Sequence, residues 1–237
     1  MADRDRPLFA VLIDADNIPA KYAAPILKEV TSLGEPALRR VYGDWSSGRL
    51  SNWSKTVRDL GLVAHQESAN TVGKNASDIG LVIDAMDILH SSRFDGFVLV
   101  SSDSDFTALA NRIREQGLDV IGIGEAKAPE SLRNVCNRFI LIENIVEETE
   151  PAPNTAQAPT GKRPPLDAVP LILNAMEKIP QEDEWYALGP LGQYITAENP
   201  DFDTRTYGKR KLSDLVQDLK RFETRKIGNQ LHVRRVD

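Results

Sequence analysis

The chain predicts an open α/β fold built on a parallel sheet, followed by a small helical unit that ends in a hairpin. Three observations carry this reading. Short apolar runs alternate with amphipathic stretches from residue 8 to residue 142. Two of those runs, 8–13 and 97–100, hold no polar residue, as strands covered on both faces require. Residues 147–165 then carry five prolines and almost nothing to bury, which marks a linker between units at 1–146 and 166–237.

The elements follow in order. After the first strand, Ile26, Leu27 and Val30 set a helix over 18–33 that Gly34 stops. A strand over 37–42 comes next, then an amphipathic helix over 50–60 through Trp53, Val57 and Leu60. A short strand over 62–65 and a polar loop over 66–75 lead to a helix over 77–90, with Ile79, Val82, Ile83 and Met86 expected inside. The second all-apolar strand, 97–100, is followed by a helix over 106–116, a strand over 119–123, a helix from Pro129 through Cys136 and a strand over 139–142. Beyond the linker, helices are expected over 168–179, 187–196 and 206–222. Two strands around Gly228-Asn229 then form a hairpin with a two-residue turn. Three helices and a hairpin are the order of a winged helix-turn-helix.

Composition narrows the function. Hydrophobic residues make up 41% of 237, enough for a packed core. No apolar run is long enough for a membrane span, and the charged opening Met-Ala-Asp-Arg-Asp-Arg makes a poor leader, so a cytoplasmic location is expected. The single cysteine, Cys136, excludes an internal disulfide or a Cys-rich zinc site and reads as a small buried hydrophobe. The net charge of -6 conceals a split: residues 205–236 hold ten cations against three acids. One half is suited to cations, the other to a polyanion.

The acids fall in a pattern. Asp14 and Asp16 end the first strand, Asp103 and Asp105 follow the second all-apolar strand, and Asp78 opens the helix before it. A lone Asp at a helix start is ordinarily a cap. Capping does not require acids from several segments to meet in one crevice. In open α/β sheets that crevice lies beyond the carboxyl ends of the strands. Carboxylates gathered there repel one another unless a cation or a shared proton intervenes. All-oxygen donors suit Mg²⁺ or Mn²⁺, whose chemistry with phosphate esters is assisted hydrolysis. His65, His90 and His232 show no metal-ligand spacing, no Gly-rich phosphate loop precedes a Lys, and Gly122-Ile123-Gly124 lacks the rest of a dinucleotide fingerprint.

Three motifs, Leu12-Ile13-Asp14-Ala15-Asp16-Asn17, Lys74-Asn75-Ala76-Ser77-Asp78 with Leu81-Val82-Ile83-Asp84, and Ser101-Ser102-Asp103-Ser104-Asp105-Phe106, together resemble the NYN domain. This is a PIN-like nuclease family with a LabA-like bacterial branch, and the resemblance covers about residues 7–146. The C-terminal segment resembles the OST-HTH, or LOTUS, domain, an RNA-associated winged helix. The resemblance implies a PIN-like Rossmannoid sheet and metal-dependent RNA cleavage. By motif it places Asp14, Asp78, Asp103 and Asp105 as the metal-binding and catalytic acids and Asn17 as the polar residue just past the first strand. Asp14 and Asp103 are expected at the centre, with Asp78 and Asp105 completing the shell. Asn17 and Ser101 or Ser102 are expected to orient a ligand, and Lys74 to meet a neighbouring phosphate. Asp16 and Asp84 receive no role.

The expected partner is RNA, single-stranded or structured, with no membrane. Arg205, Lys209, Arg210 and Lys211 around the third helix, and Arg225 and Lys226 on the hairpin, are the expected phosphate contacts. Trp185 and Tyr186 read as core, and Tyr207 as either core or a base-stacking group. Three other readings stand beside the ribonuclease. One is a non-catalytic RNA-binding regulator. Another is an Asp-x-Asp phosphatase with Asp14 as nucleophile and Asp16 as acid/base. In the third, DNA is the polymer. The oligomeric state is open, a homodimer included.

Overall fold

A computed structural model describes residues 5–46, 48–66, 76–146, 162–181 and 183–236. They form two compact units, Met1–Ala152 and Pro153–Asp237.

In the first unit six strands, β1 (Leu8–Asp14), β2 (Glu35–Gly43), β3 (Val63–Gln66), β4 (Gly96–Val100), β5 (Asp119–Gly124) and β6 (Arg138–Leu141), form one sheet. Its order is β3-β2-β1-β4-β5-β6, and every pairing is parallel. The helices are α1 (Ala23–Leu33), α2 (Ser51–Leu60), α3 (Ala76–His90), α4 (Thr107–Glu115), α5 (Glu130–Val135) and α6 (Ile142–Val146). Alternation along β1 sends Phe9, Val11 and Ile13 to one face, where α1, α2 and α6 supply Ile26, Val30, Trp53 and Ile145. Ala10 and Leu12 face the other layer, with Leu81 and Ile88 of α3, Leu109 and Ile113 of α4, and Leu132 of α5. Both faces are therefore dry, which is why β1 and β4 carry no polar residue until their carboxyl ends.

From β1 the chain winds outward through β2 to β3, and from β4 it winds the other way to β5 and β6. The reversal falls between β1 and β4, whose register pairs Ile13 with Val100. Asp14 and the Ser101–Asp105 turn thus share the crevice at the switch point of the sheet.

The helix expected over 77–90 is present as α3, but it turns a different face inward. Ile79 and Ile83 are each 60% exposed, whereas Leu81, Ala85, Ile88 and Leu89 are buried. Asp84 explains the rotation: it accepts hydrogen bonds from the Arg40 guanidinium and the Tyr42 hydroxyl of β2. Asp78 begins the buried stripe, three residues before Leu81 and seven before Ala85, so its side chain is carried toward the sheet. The helix α6 was not expected; it follows β6 directly, with Ile142 and Ile145 buried.

In the second unit α7 (Val169–Lys178), α8 (Leu188–Glu198) and α9 (Leu212–Asp218) pack around Ile172, Leu191, Ile195, Leu215, Val216 and Val233. A three-stranded antiparallel sheet, β7-β9-β8, closes it: β7 (Tyr186–Ala187), β8 (Phe222–Ile227) and β9 (Gln230–Arg235). This is the expected winged arrangement, with the short β7 as an addition. The expected helix over 206–222 is divided. A 3-10 turn over Thr204–Tyr207 ends at Gly208, whose φ of 72° is left-handed, and α9 begins only at Leu212. Within the Pro-rich stretch, residues 147–161 lie outside the described residues. The Arg163 N–H donates to the Thr206 carbonyl at 2.9 Å, and Pro165 opens the turn that leads into α7.

Candidate metal centre

Asp14 sits at the end of β1 and is only 2% exposed. One of its carboxylate oxygens accepts the backbone N–H groups of Asp16 and Asn17, each at 3.1 Å. The other accepts the Ser101 hydroxyl at 3.0 Å. Ser101 in turn accepts the Asp103 N–H at 3.1 Å, so one hydroxyl ties the ends of β1 and β4 together. Burial pushes the Asp14 carboxyl up to about 6, against the lowering effect of Ser101 and Asn17 and with help from the charges of Asp78 and Asp16.

Above it, Asp78, Asp103 and Asp105 each offer a carboxylate oxygen within 4.8 Å of the others. Asp103 adopts extended backbone before a 3-10 turn and accepts the Asp105 N–H at 2.9 Å. That cap fixes the spacing of the two acids. Asp78 comes from the first turn of α3 on the far side of a chain crossover. Its carboxyl is raised by burial and then by the charges of Asp103, Asp105 and Asp16. Three carboxylates held this close cost free energy in the absence of a counter-charge, and oxygen-only donors at such spacing fit a hard divalent cation.

The structure thus brings together Asp78, Asp103 and Asp105 and places Asp14 beneath them, outside the close trio. Ser101 and Ser102 are buried and hydrogen-bonded within the protein. Ser101 serves Asp14, and the Ser102 hydroxyl accepts the Glu125 N–H at 2.9 Å. Lys74 lies outside the described residues. Asp84, left without a role by sequence, braces α3 to β2.

Asn17 and Asp16 line a cleft of about 500 Å³ with Lys21, Arg49, Asn52 and Thr56 around Ile18, Leu50 and Trp53. Asp16 belongs to both places, lining this cleft while its charge acts on Asp14 and Asp78. Nothing in the local pattern of Arg49 and Asn52 shows that the turn before α2 and the start of α2 meet the end of β1.

In the second unit Arg205 forks onto Asp203, with distances down to 2.7 Å and side chains 14% and 9% exposed. It stabilises its own turn. Lys209 pairs with Asp218 at 3.0 Å. Arg210, Lys211, Arg225 and Lys226 are exposed. Tyr207 is core, 5% exposed and packed on Phe202. Cys136 is 1% exposed, donates to the Leu132 carbonyl, and has its thiol pushed up to about 12 by burial.

Among the described residues no helix is long and apolar enough to cross a membrane. No curated protein matches the chain significantly. A crystal structure of a protein of unknown function from Vibrio parahaemolyticus is similar at 19% identity, covering 61% of this chain and 98% of its own, with a TM-score of 0.52. That likeness is one of fold. A solution structure of an uncharacterized protein from Nitrosomonas europaea shares 34% identity over 37% of this chain and 87% of its own, with a TM-score of 0.29. The family model of the OST-HTH/LOTUS domain matches residues 166–233, and that of the NYN domain matches residues 9–143. With more than half of its 237 residues so matched, the chain belongs to the NYN domain family, its NYN domain followed by an OST-HTH/LOTUS domain.

Proposed function

We propose that the chain is a divalent-metal-dependent ribonuclease whose C-terminal domain holds the RNA. The observation that carries the reading is the convergence of Asp78, Asp103 and Asp105 within 4.8 Å, above buried Asp14, at the switch point of a parallel sheet. The NYN family belongs to the PIN-like nucleases, and the OST-HTH/LOTUS match supports RNA as the partner. Asp78, Asp103 and Asp105 would hold Mg²⁺ or Mn²⁺, with Asp14 adding negative charge from below. The bound ion would supply Lewis-acid activation and neutralise charge at the scissile phosphate.

The chain's own residues do the rest. The Ser101 bridge fixes Asp14 relative to the Asp103 turn, so the acids meet the phosphate already placed. The cleft beside Asp16 receives the neighbouring nucleotide. Lys21 and Arg49 on its rim supply the attraction that the acids deny a polyanion. The phosphatase reading loses support here. A nucleophile must reach phosphorus, and Asp14 is 2% exposed with both oxygens engaged.

The test is cleavage of labelled single-stranded and structured RNA by the full chain with and without Mn²⁺, beside Asp103→Asn and Asp14→Asn. Turnover should require the ion and fall to background in both variants, with circular dichroism unchanged. Undiminished Mn²⁺-dependent turnover by both variants would overturn the assignment. RNA binding without turnover, with Mn²⁺ present, would favour the regulator.

A further inference from the structure

The C-terminal sheet has an inner and an outer face. Phe222, Thr224 and Val233 turn toward the core, so Glu223, Arg225, Ile227, His232 and Arg234 alternate onto the other side. Tyr186 pairs with Val233, which puts the preceding residue, Trp185, on the outer side opposite Arg234. The geometry agrees. The Arg225 guanidinium carbon lies 4.4 Å from the centre of the Trp185 ring, and that of Arg234 lies 4.9 Å from it.

Trp185 is thus not the core residue its type suggests. It is half-buried, and two arginines from different strands cover it. The assembly is held in place. The Trp185 carbonyl accepts the Gln181 amide at 2.6 Å, and Arg234 is fixed by Glu223 at 2.7 Å and Glu184 at 3.4 Å. Arg225 is exposed and, among the described residues, has no carboxylate partner. Residues 220–235 carry six cations and one acid, and Ile227 at the hairpin tip is 40% exposed.

A tryptophan ring overlaid by two planar guanidinium groups, on a strongly basic strand pair, matches unpaired nucleic acid in two respects. Bases of any identity stack on aromatic rings and on guanidinium planes alike, and phosphates meet the surrounding charge. A duplex hides its base faces and can use only the charge. We propose that the outer face of this sheet, centred on Trp185, Arg225 and Arg234, binds RNA by stacking its unpaired bases. The inference rests on the reading of the second domain as the RNA-holding half. It does not depend on whether the first domain cuts.

The test uses the full chain in chelator, so that no cleavage intervenes, with a short labelled single-stranded RNA and the matching duplex. Fluorescence anisotropy should show single-strand affinity falling roughly tenfold in Trp185→Ala and in Arg225→Ala, with duplex affinity changed much less in Trp185→Ala. Trp185→Phe should retain most of the single-strand affinity and lose the quenching of tryptophan emission that RNA causes in the parent chain. RNA binding of unchanged strength in Trp185→Ala, with no quenching assigned to Trp185, overturns this proposal and leaves the nuclease reading standing. Failure of the parent chain to bind RNA in chelator overturns this proposal together with the reading of the second domain as the RNA-holding half. Trp185-dependent binding without Mn²⁺-dependent cleavage sinks only the nuclease.

Discussion

A carboxylate that is 2% exposed loses hydration that its hydrogen bonds replace only in part, and Asp14 therefore has its proton affinity lifted to about 6. The sign of the consequence is fixed. The folded value lies above the unfolded 3.8, so folding favours the protonated form. Stability from this group is full below the unfolded value and is lost as pH rises through about 6. A shift of that size corresponds to about 3 kcal/mol of metal-free stability forgone at neutral pH. Asp14→Asn in chelator should therefore melt higher than the parent at pH 7.5, with the advantage shrinking below pH 6 and vanishing near pH 3. Thermal denaturation across that range checks it. An advantage that grows on acidification would contradict the assignment. The acids at this site were legible because the motifs end strands and open turns. The role of Asp84 was not, because its partners Arg40 and Tyr42 lie 44 and 42 residues away and only the fold brings them within reach.

At the scale of elements, α3 shows where pattern reading stops. Its apolar residues occupy most of its circumference, so periodicity does not choose a buried face. The choice is made by β2, through the Arg40 and Tyr42 bonds to Asp84, and it is this rotation that aims Asp78 at the Asp103 turn. Ile79→Lys and Ile83→Lys should consequently change stability by no more than about 0.5 kcal/mol, whereas Leu81→Ala should cost about 2–5 kcal/mol. Urea denaturation of the three variants decides between this face and the one the spacing suggests. The β-strands were easier. Each of β1 and β4 is apolar along its whole buried length, and only a strand covered on both sides needs that. The division of the last predicted helix at Gly208 was hidden because Leu212, Leu215, Val216 and Leu219 keep helical spacing. Leu219 nevertheless has extended backbone.

For the molecule as a whole, charge would separate the proposed tasks. The NYN domain presents acids where it would meet phosphate, and the basic C-terminal domain supplies cations on the turn before α9 and on the hairpin. Removing residues after 165 should weaken RNA binding more than it slows turnover on short RNA, and the parent's affinity should fall more steeply with salt. Titrations at several salt concentrations test this. Equal affinities at low salt would refute the division. The two-domain order was legible from the proline-rich stretch and the charge reversal. The outer-face placement of Trp185 was not, since a tryptophan beside a tyrosine reads as core until β7 is seen pairing with β9.

The pairing of Ile13 with Val100 has a consequence during synthesis. Asp14 leaves the ribosome 87 residues ahead of Ser101, and until Ser101 has emerged β1 has no neighbour on its second side and Asp14 no serine partner. Asp105 completes the cluster only later still. A chain still being translated short of that point has not yet gathered these carboxylates. If the domain cuts RNA as proposed, the message under the ribosome is spared through that interval.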